Sequence, residues 1–523
     1  MTVYEGTIIT CDGKGSVARY LVEDLGRILY VGDAIPAAYE AIPRHSLGEG
    51  ALCPAFADTH IHFMSYALFS GGLDVRLAKS NREIAGLVSA YAEKSRERII
   101  LGFGASPHSV SEGTMITRRE IDAACPDRPV FLVKYDGHAA VVNSALMSRL
   151  PAAVSAERGF DAEGGRMTQE AFFRATDFVT GTVSLPDTLD RMLRAMDTLA
   201  SRGIALVHSV SGVGFPLDLD VSLESLFAKG LRNDMAYRIF FQTMDVSKVT
   251  RRKLPRIGGC FACALDGCFG SADAALNEPY SGEYEASAGA GVLYYGDETV
   301  RAFAKRANRA GLQIQMHAIG DRAFLQAATA IEAALEDFPR KDHRHTIIHA
   351  CMPESRALEI CAREGILIAA QPAFIQWDAA PLTYLERLLG PRAATLNPLG
   401  TMRKAGIVMT GGSDSPCTES DPLKAIEAAA AHYNPDESLS VQDALNLFTR
   451  NAAFGAFDDK DRGSLEEGKR ADMVILDRNI LAVPPNEIGS TRVLSLLVAG
   501  RPYRSGQGRL ELLLRSLFSR RAL

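Results

Sequence analysis

Nowhere in the 523 residues does an apolar run approach the roughly 20 needed to span a bilayer; Gly, Pro or a charge breaks each run first. An excess of positive charge is missing too. Lys and Arg number 57 against 63 Asp and Glu, for a net charge of −6. Nothing in that balance points to nucleic acid or an anionic membrane as a partner. Internal repeats and low-complexity tracts are lacking. The opening "MTVYEGTIITCDGKG" has no basic segment ahead of an apolar one, so no secretory signal is read there. The nine cysteines are odd in number and scattered, apart from Cys260, Cys263 and Cys268. They suggest no disulfide framework, and a reducing cytoplasm fits best. Histidine is scarce, at 11 residues. What remains is an ordinary composition, 47% hydrophobic and 23% charged, sufficient for a large core.

Residues 1–50 read as short strands and Gly turns, and 458–510 read the same way. These end segments are expected to pair into one small β-sandwich domain. Between them, at 51–457, strands alternate with amphipathic helices. The candidate strands are "LCPAFADTH", "GIALVHSV", "YRIFFQTM", "GCFACALDG", "LQIQMHAIG", "HTIIHA", "LIAAQPAF" and "IVMTGGSD". Eight such units predict a parallel (β/α)8 TIM-like barrel, an α/β fold, with an insertion at about 75–195 after the first strand.

Residues i and i+2 of a strand share a face. In "ADTHIHF", His60 and His62 therefore project together from the end of the first strand. Two satisfied histidines are the alternative, and an H-x-H alone is a weak motif. Other strand ends change the balance. "LQIQMHAIGD" ends on His317, "HTIIHA" on His349, and "IVMTGGSDSP" on Asp414. Barrel enzymes carry catalytic groups at the C-terminal ends of their strands. Imidazoles with a carboxylate suit zinc, with iron or manganese as alternatives. His343 precedes its strand and His345 lies two residues deeper than His349, so neither is expected to be a ligand.

These motifs, with "DGHAAVVNSALM", "LDGCFGSADAAL", "MHAIGDRA" and "GSLEEGKRADMVILD", resemble the amidohydrolase superfamily, and within it the branch of large YtcJ-like metal-dependent hydrolases. The resemblance implies that His60, His62, His317 and Asp414 bind metal. His349 would bind a second ion or donate a hydrogen bond to substrate or water. Binuclear relatives in this branch carry a lysine on strand four, four residues before an Asp-Gly, whose carbamate bridges two metals. Here that position falls on Ala262, and no lysine lies between Lys253 and Lys305. Three substitutes are open: a mononuclear site, ranked first; a bridging carboxylate, Glu170, from the insertion; or a thiolate, Cys260 or Cys263. For both cysteines, small apolar packing is the expected role.

The chemistry expected is hydrolysis of a C–N bond (amide, cyclic amide or N-acyl) by a water that one or two divalent metal ions, zinc first, activate. Asp414 is the expected proton acceptor, with helix capping as its other ordinary use. Deamination of an aminated heterocycle and a catalytically inactive binding barrel are the alternatives. His138, His208 and Gln371 are candidate substrate contacts, Phe374 and Trp377 could line an apolar pocket, and Asp136 and Asn143 are expected to hold a turn. The expected partner is a small-molecule substrate, with a homodimer possible.

Overall fold

The computed structural model describes residues 1–519. Its frame is eight parallel strands: β1 (Phe56–Ile61), β2 (Ile204–Ser211), β3 (Ala236–Phe241), β4 (Arg256–Ala264), β5 (Gln313–Ala318), β6 (Thr346–His349), β7 (Leu367–Ala370) and β8 (Met409–Gly411). They are the eight expected from the sequence. Most are buried on both faces, as their near-continuous apolar runs require. The seam between β8 and β1 closes just past the strands. Asp414 N–H donates to His60 O (2.8 Å), and His62 N–H donates to Ser415 O (3.0 Å).

Amphipathic helices cover the barrel. The helix Asp297–Arg309 buries Val300, Phe303, Ala304 and Ala307, one stripe of a 3.6-residue period. Gly311, at φ +76°, stops it. The insertion builds its own five-stranded sheet, from Leu73–Asp74, Ile100–Ala105, Val130–Lys134, Ala139–Val142 and Arg166–Thr168. The helix Leu185–Ser201 packs Met192, Met196 and Leu199 into the main barrel core along its whole length. This helix, within the expected insertion of about 75–195, thus serves the barrel core.

Both chain ends join one seven-stranded sheet, where Arg44–Pro54 pairs with Met473–Leu476. Its alternation is legible in the side chains. Leu52, Met473 and Leu497 enclose a small core with Ile8 and Leu21, whereas Ala51, Cys53, Val474 and Val498 face the barrel core. A helix, Arg509–Phe518, follows the sheet and buries Leu512. No helix among the described residues is long and apolar enough to cross a membrane.

On β2, Ser211 Oγ donates to Glu224 Oε2 (2.5 Å) from the helix Leu219–Gly230. Burial pushes the Glu224 carboxyl from its ordinary value of 4.5 up to about 7, with Asp220 nearby at about 6. The folded chain thus keeps a proton on Glu224 that the unfolded chain releases. This contribution is complete below about pH 4.5 and is lost as pH rises through 7. Glu224→Gln is expected to gain stability over the parent at pH 8, by roughly 3 kcal/mol, and little at pH 4.5. Urea unfolding midpoints at the two pH values check this.

Candidate metal centre

The strand ends bring six metal-ligating side chains to one point inside the barrel mouth. His60 Nε2 lies 3.1 Å and His62 Nε2 3.2 Å from the same oxygen, Asp414 Oδ1. Cys260 Sγ lies 3.2 Å from His60 Nε2 and 3.8 Å from His349 Nε2. Bonds of about 2.0–2.3 Å to a tetrahedral cation set its ligand atoms roughly 3.3–3.8 Å apart, close to this spacing. Two groups meet here: His60, His62, Cys260 and Asp414, and Cys260, His317 and His349. Cys260 belongs to both.

The donors fit a cation better than they fit one another. His317 Nδ1 is buried and makes no hydrogen bond, and Asp414 Oδ1 meets only the two imidazole nitrogens. Such groups cost roughly 1–3 kcal/mol each when left unpaired, and a shared cation removes that cost. Burial alone would push the Asp414 carboxyl up. The imidazoles of His60 and His62 outweigh burial and hold it well below the usual carboxylate range. Burial keeps His60 and His349 neutral by lowering both, as imidazole ligands must be.

Cys260 reaches the centre because β4 is irregular. Gly259 pairs with Met316, but the next pair is Ala264 with His317, so residues 260–263 loop out of register. Phe261 takes φ +45° within the bulge. The family spacing, four residues before Asp266-Gly267, falls on Ala262, whereas Cys260 is the β4 residue whose side chain lies against the histidines. Ala262 instead accepts a hydrogen bond at its carbonyl from Tyr295 OH (3.1 Å). Cys263 packs in the main core, as expected. Cys260 packs with Ile348 and Ala369, as expected, and its Sγ also lies against the histidines.

Three residues behind the centre hold it in place. Gln371 Nε2 donates to Ala369 O (2.9 Å), which fixes its amide so that Oε1 faces His349 Nδ1 at 2.6 Å. His349 must then carry its proton on Nδ1 and present an Nε2 lone pair to the cluster. Gln371, expected as a substrate contact, thus also orients His349. Asp266 accepts from Ala275 N, Ile319 N and Gly320 N and lies 3.5 Å from His317 Nε2. Asp58 accepts from Ser413 N (3.0 Å), Ser413 Oγ (2.6 Å) and Ser420 Oγ (2.5 Å), tying the Asp414 loop to β1. The sequence reading gave Asp58 and Asp266 no role. Their signal was present: a carboxylate two residues before a ligand, and another opening a loop.

Glu170 is not at the centre. It is exposed and pairs with Arg158 (2.8 Å), because its helix, Gln169–Gly181, presents it to solvent. His138 lines the pocket over the centre, with Nδ1 2.8 Å from Asp136 O. Phe374 and Trp377 line it too. His208 is buried near Phe240 and lines no part of this pocket. His345 accepts from Ile314 N and His343 pairs with Glu364 O, away from the cluster. Asn143 caps local backbone, and Asp136 pairs with Lys134 (2.6 Å).

A parallel barrel with imidazoles and a carboxylate at its strand ends defines the class of metal-dependent barrel hydrolases. The chain belongs to the amidohydrolase family, whose sequence model matches residues 46–503. It is 27% identical over 490 residues to YtcJ of Bacillus subtilis (strain 168), itself assigned as an amidohydrolase, across 87% of this chain and 89% of the relative. It is 24% identical over 550 residues to the N-substituted formamide deformylase of Arthrobacter pascens, across 96% of this chain and 97% of that one. The crystal structure of a metal-dependent hydrolase from Pyrococcus furiosus superposes with a TM-score of 0.73 at 27% identity, covering 92% of this chain and 99% of that one.

Gln371→Ala removes the acceptor that fixes His349 and is expected to weaken zinc binding about 10–100-fold. Glu170→Ala is expected to leave it unchanged. Competition against a chromophoric chelator measures both.

Proposed function

We propose that this chain hydrolyses the C–N bond of a small-molecule amide at a centre of two divalent cations, zinc first, to which Cys260 would contribute its thiolate. His60, His62 and Asp414 would complete one site, and His317 and His349 the other. The observation that carries this reading is the place of Cys260 Sγ between the two groups of imidazoles. It fills the structural role that a bridging lysine carbamate fills in relatives, and it supports two ions over the mononuclear site ranked first from the sequence.

When bound, the cations supply Lewis acidity toward a carbonyl oxygen and toward water. The protein's own groups manage the protons. Asp414, held ionised by its imidazole neighbours, accepts a proton from the attacking water and returns it to the departing nitrogen. The balance is amide plus water to carboxylic acid plus amine. His349 is a lone-pair donor here, because Gln371 occupies its N–H. The mostly apolar pocket favours an amide over an aminated heterocycle, whose ring nitrogens would need polar partners. The relative named for N-substituted formamides supports the choice of a C–N bond.

Elemental analysis of zinc-grown protein is expected to give about two ions per chain, falling on Cys260→Ala. Asp414→Asn is expected to lower kcat at least about 100-fold in amine release from N-formyl and N-acetyl amines. A chain without stoichiometric metal, or one that releases no amine across that panel, would contradict the proposal.

A further inference from the structure

Above the metal centre lies a cavity of about 130 Å³. Apolar protein cavities of roughly 150 Å³ hold a benzene ring, so this one has room for a ring-sized group. The insertion contributes Phe103, Phe172 and Phe173 to its wall, and barrel loops contribute Phe261, Phe374 and Trp377. The aromatic surface begins at the centre itself. Phe374 stacks over His349 at 5.8 Å and 20°, and Trp377 stacks on Phe374 at 4.7 Å and 11°. On the other side, Phe261 packs against His62 at 5.1 Å, and Phe173 packs against Phe261 at 5.6 Å.

Charge is distributed just as unevenly. No Lys or Arg lines the cavity among the described residues, and its carboxylates are Asp136 and Asp414. The neighbouring cation, Lys134, is fully engaged: Nζ lies 2.6 Å from Asp136 Oδ2 and 2.9 Å from Gly270 O. Away from the metal centre, a substrate carboxylate or phosphate would be desolvated against this wall without a cationic side chain to pair with.

Resting on the amide-hydrolase reading, we propose that the substrate is an uncharged amide bearing an aromatic ring, and that the pocket rejects amides bearing a carboxylate or phosphate. The ring lies on the Phe374–Trp377 platform, which sets the scissile bond beside His349. Amides of amino acids fall outside this class.

Trp377 is the only tryptophan of the chain, so its fluorescence reports occupancy without requiring turnover. The probes for the zinc-loaded enzyme are N-acetyl-2-phenylethylamine, N-acetylphenylalanine, which adds one carboxylate, and N-acetylbutylamine, which lacks the ring. The first is expected to bind at least about tenfold more tightly than either of the others. Phe173→Ala is expected to narrow the gap to the butyl compound. Thr176→Lys, which sets a cation in the wall, is expected to raise affinity for N-acetylphenylalanine. Equal or tighter binding of the carboxylate or of the ringless amide overturns the proposal, as does the absence of any Trp377 response. Ring-selective binding with no amine released from any amide leaves the pocket assignment standing and removes the hydrolase reading instead.

Discussion

The seam between β8 and β1 is the contact on which the rest depends. It joins His60 and His62 to Asp414, more than 350 positions later in the chain, by Asp414 N–H to His60 O and His62 N–H to Ser415 O. Asp58 locks the same seam through Ser413 and Ser420. Gly412 permits it, since a Cβ there would lie 2.7 Å from His60 N and Cβ. Once the seam is shut, three donors stand around a point that no hydrogen bond between them satisfies. The remaining donors come from β4, β5 and β6, which parallel pairing sets beside one another.

The backbone stores strain at this point. His349 takes φ +72°, Asp414 φ +57° and Phe261 φ +45°. None is glycine, and such conformations cost of order 1 kcal/mol or more each. All three residues lie at or over the centre. The surrounding barrel holds them there, which turns a strand end inward where a regular strand would carry its side chain past the mouth. The same turn lets His349 meet Cys260 and Gln371 at once.

Much of this was legible in the sequence because strand periodicity is strict. His60 with His62, His317, His349 and Asp414 each end a strand, and period-two alternation places them without knowledge of contacts. All eight barrel strands were readable as short apolar runs alternating with amphipathic helices. Where periodicity breaks, legibility ends. The β4 bulge between Gly259 and Ala264 breaks the strand's register, so a fixed spacing back from Asp266 lands on Ala262 while Cys260 meets the histidines. Gln371 could be placed at a strand end, but its bond to His349 depends on two neighbouring strands. Glu170 looked able to reach inward because the insertion's helix had no readable facing, and the structure turns it to Arg158. The helix Leu185–Ser201 carried a clear apolar stripe, yet nothing local said which core it served.

Reactivity and selectivity come from different parts of the chain but are physically linked. The barrel ends supply the candidate ligands, and the insertion supplies part of the wall above them. Aromatic walls exclude water and lower the local dielectric, which strengthens the pull of the imidazoles on Asp414. The same walls raise the cost of any further charge. Asp414 and Cys260 would offset only part of the charge of two divalent cations, so selection against an anionic substrate would fall to the aromatic wall away from them. A second negative group would have to be desolvated against phenyl rings with Lys134 already committed to Asp136. On the proposed reading, neutral substrates would follow from the environment that would keep the proton acceptor ionised. An insertion with a basic residue in place of Thr176 or Phe173 would change the substrate without altering a single ligand.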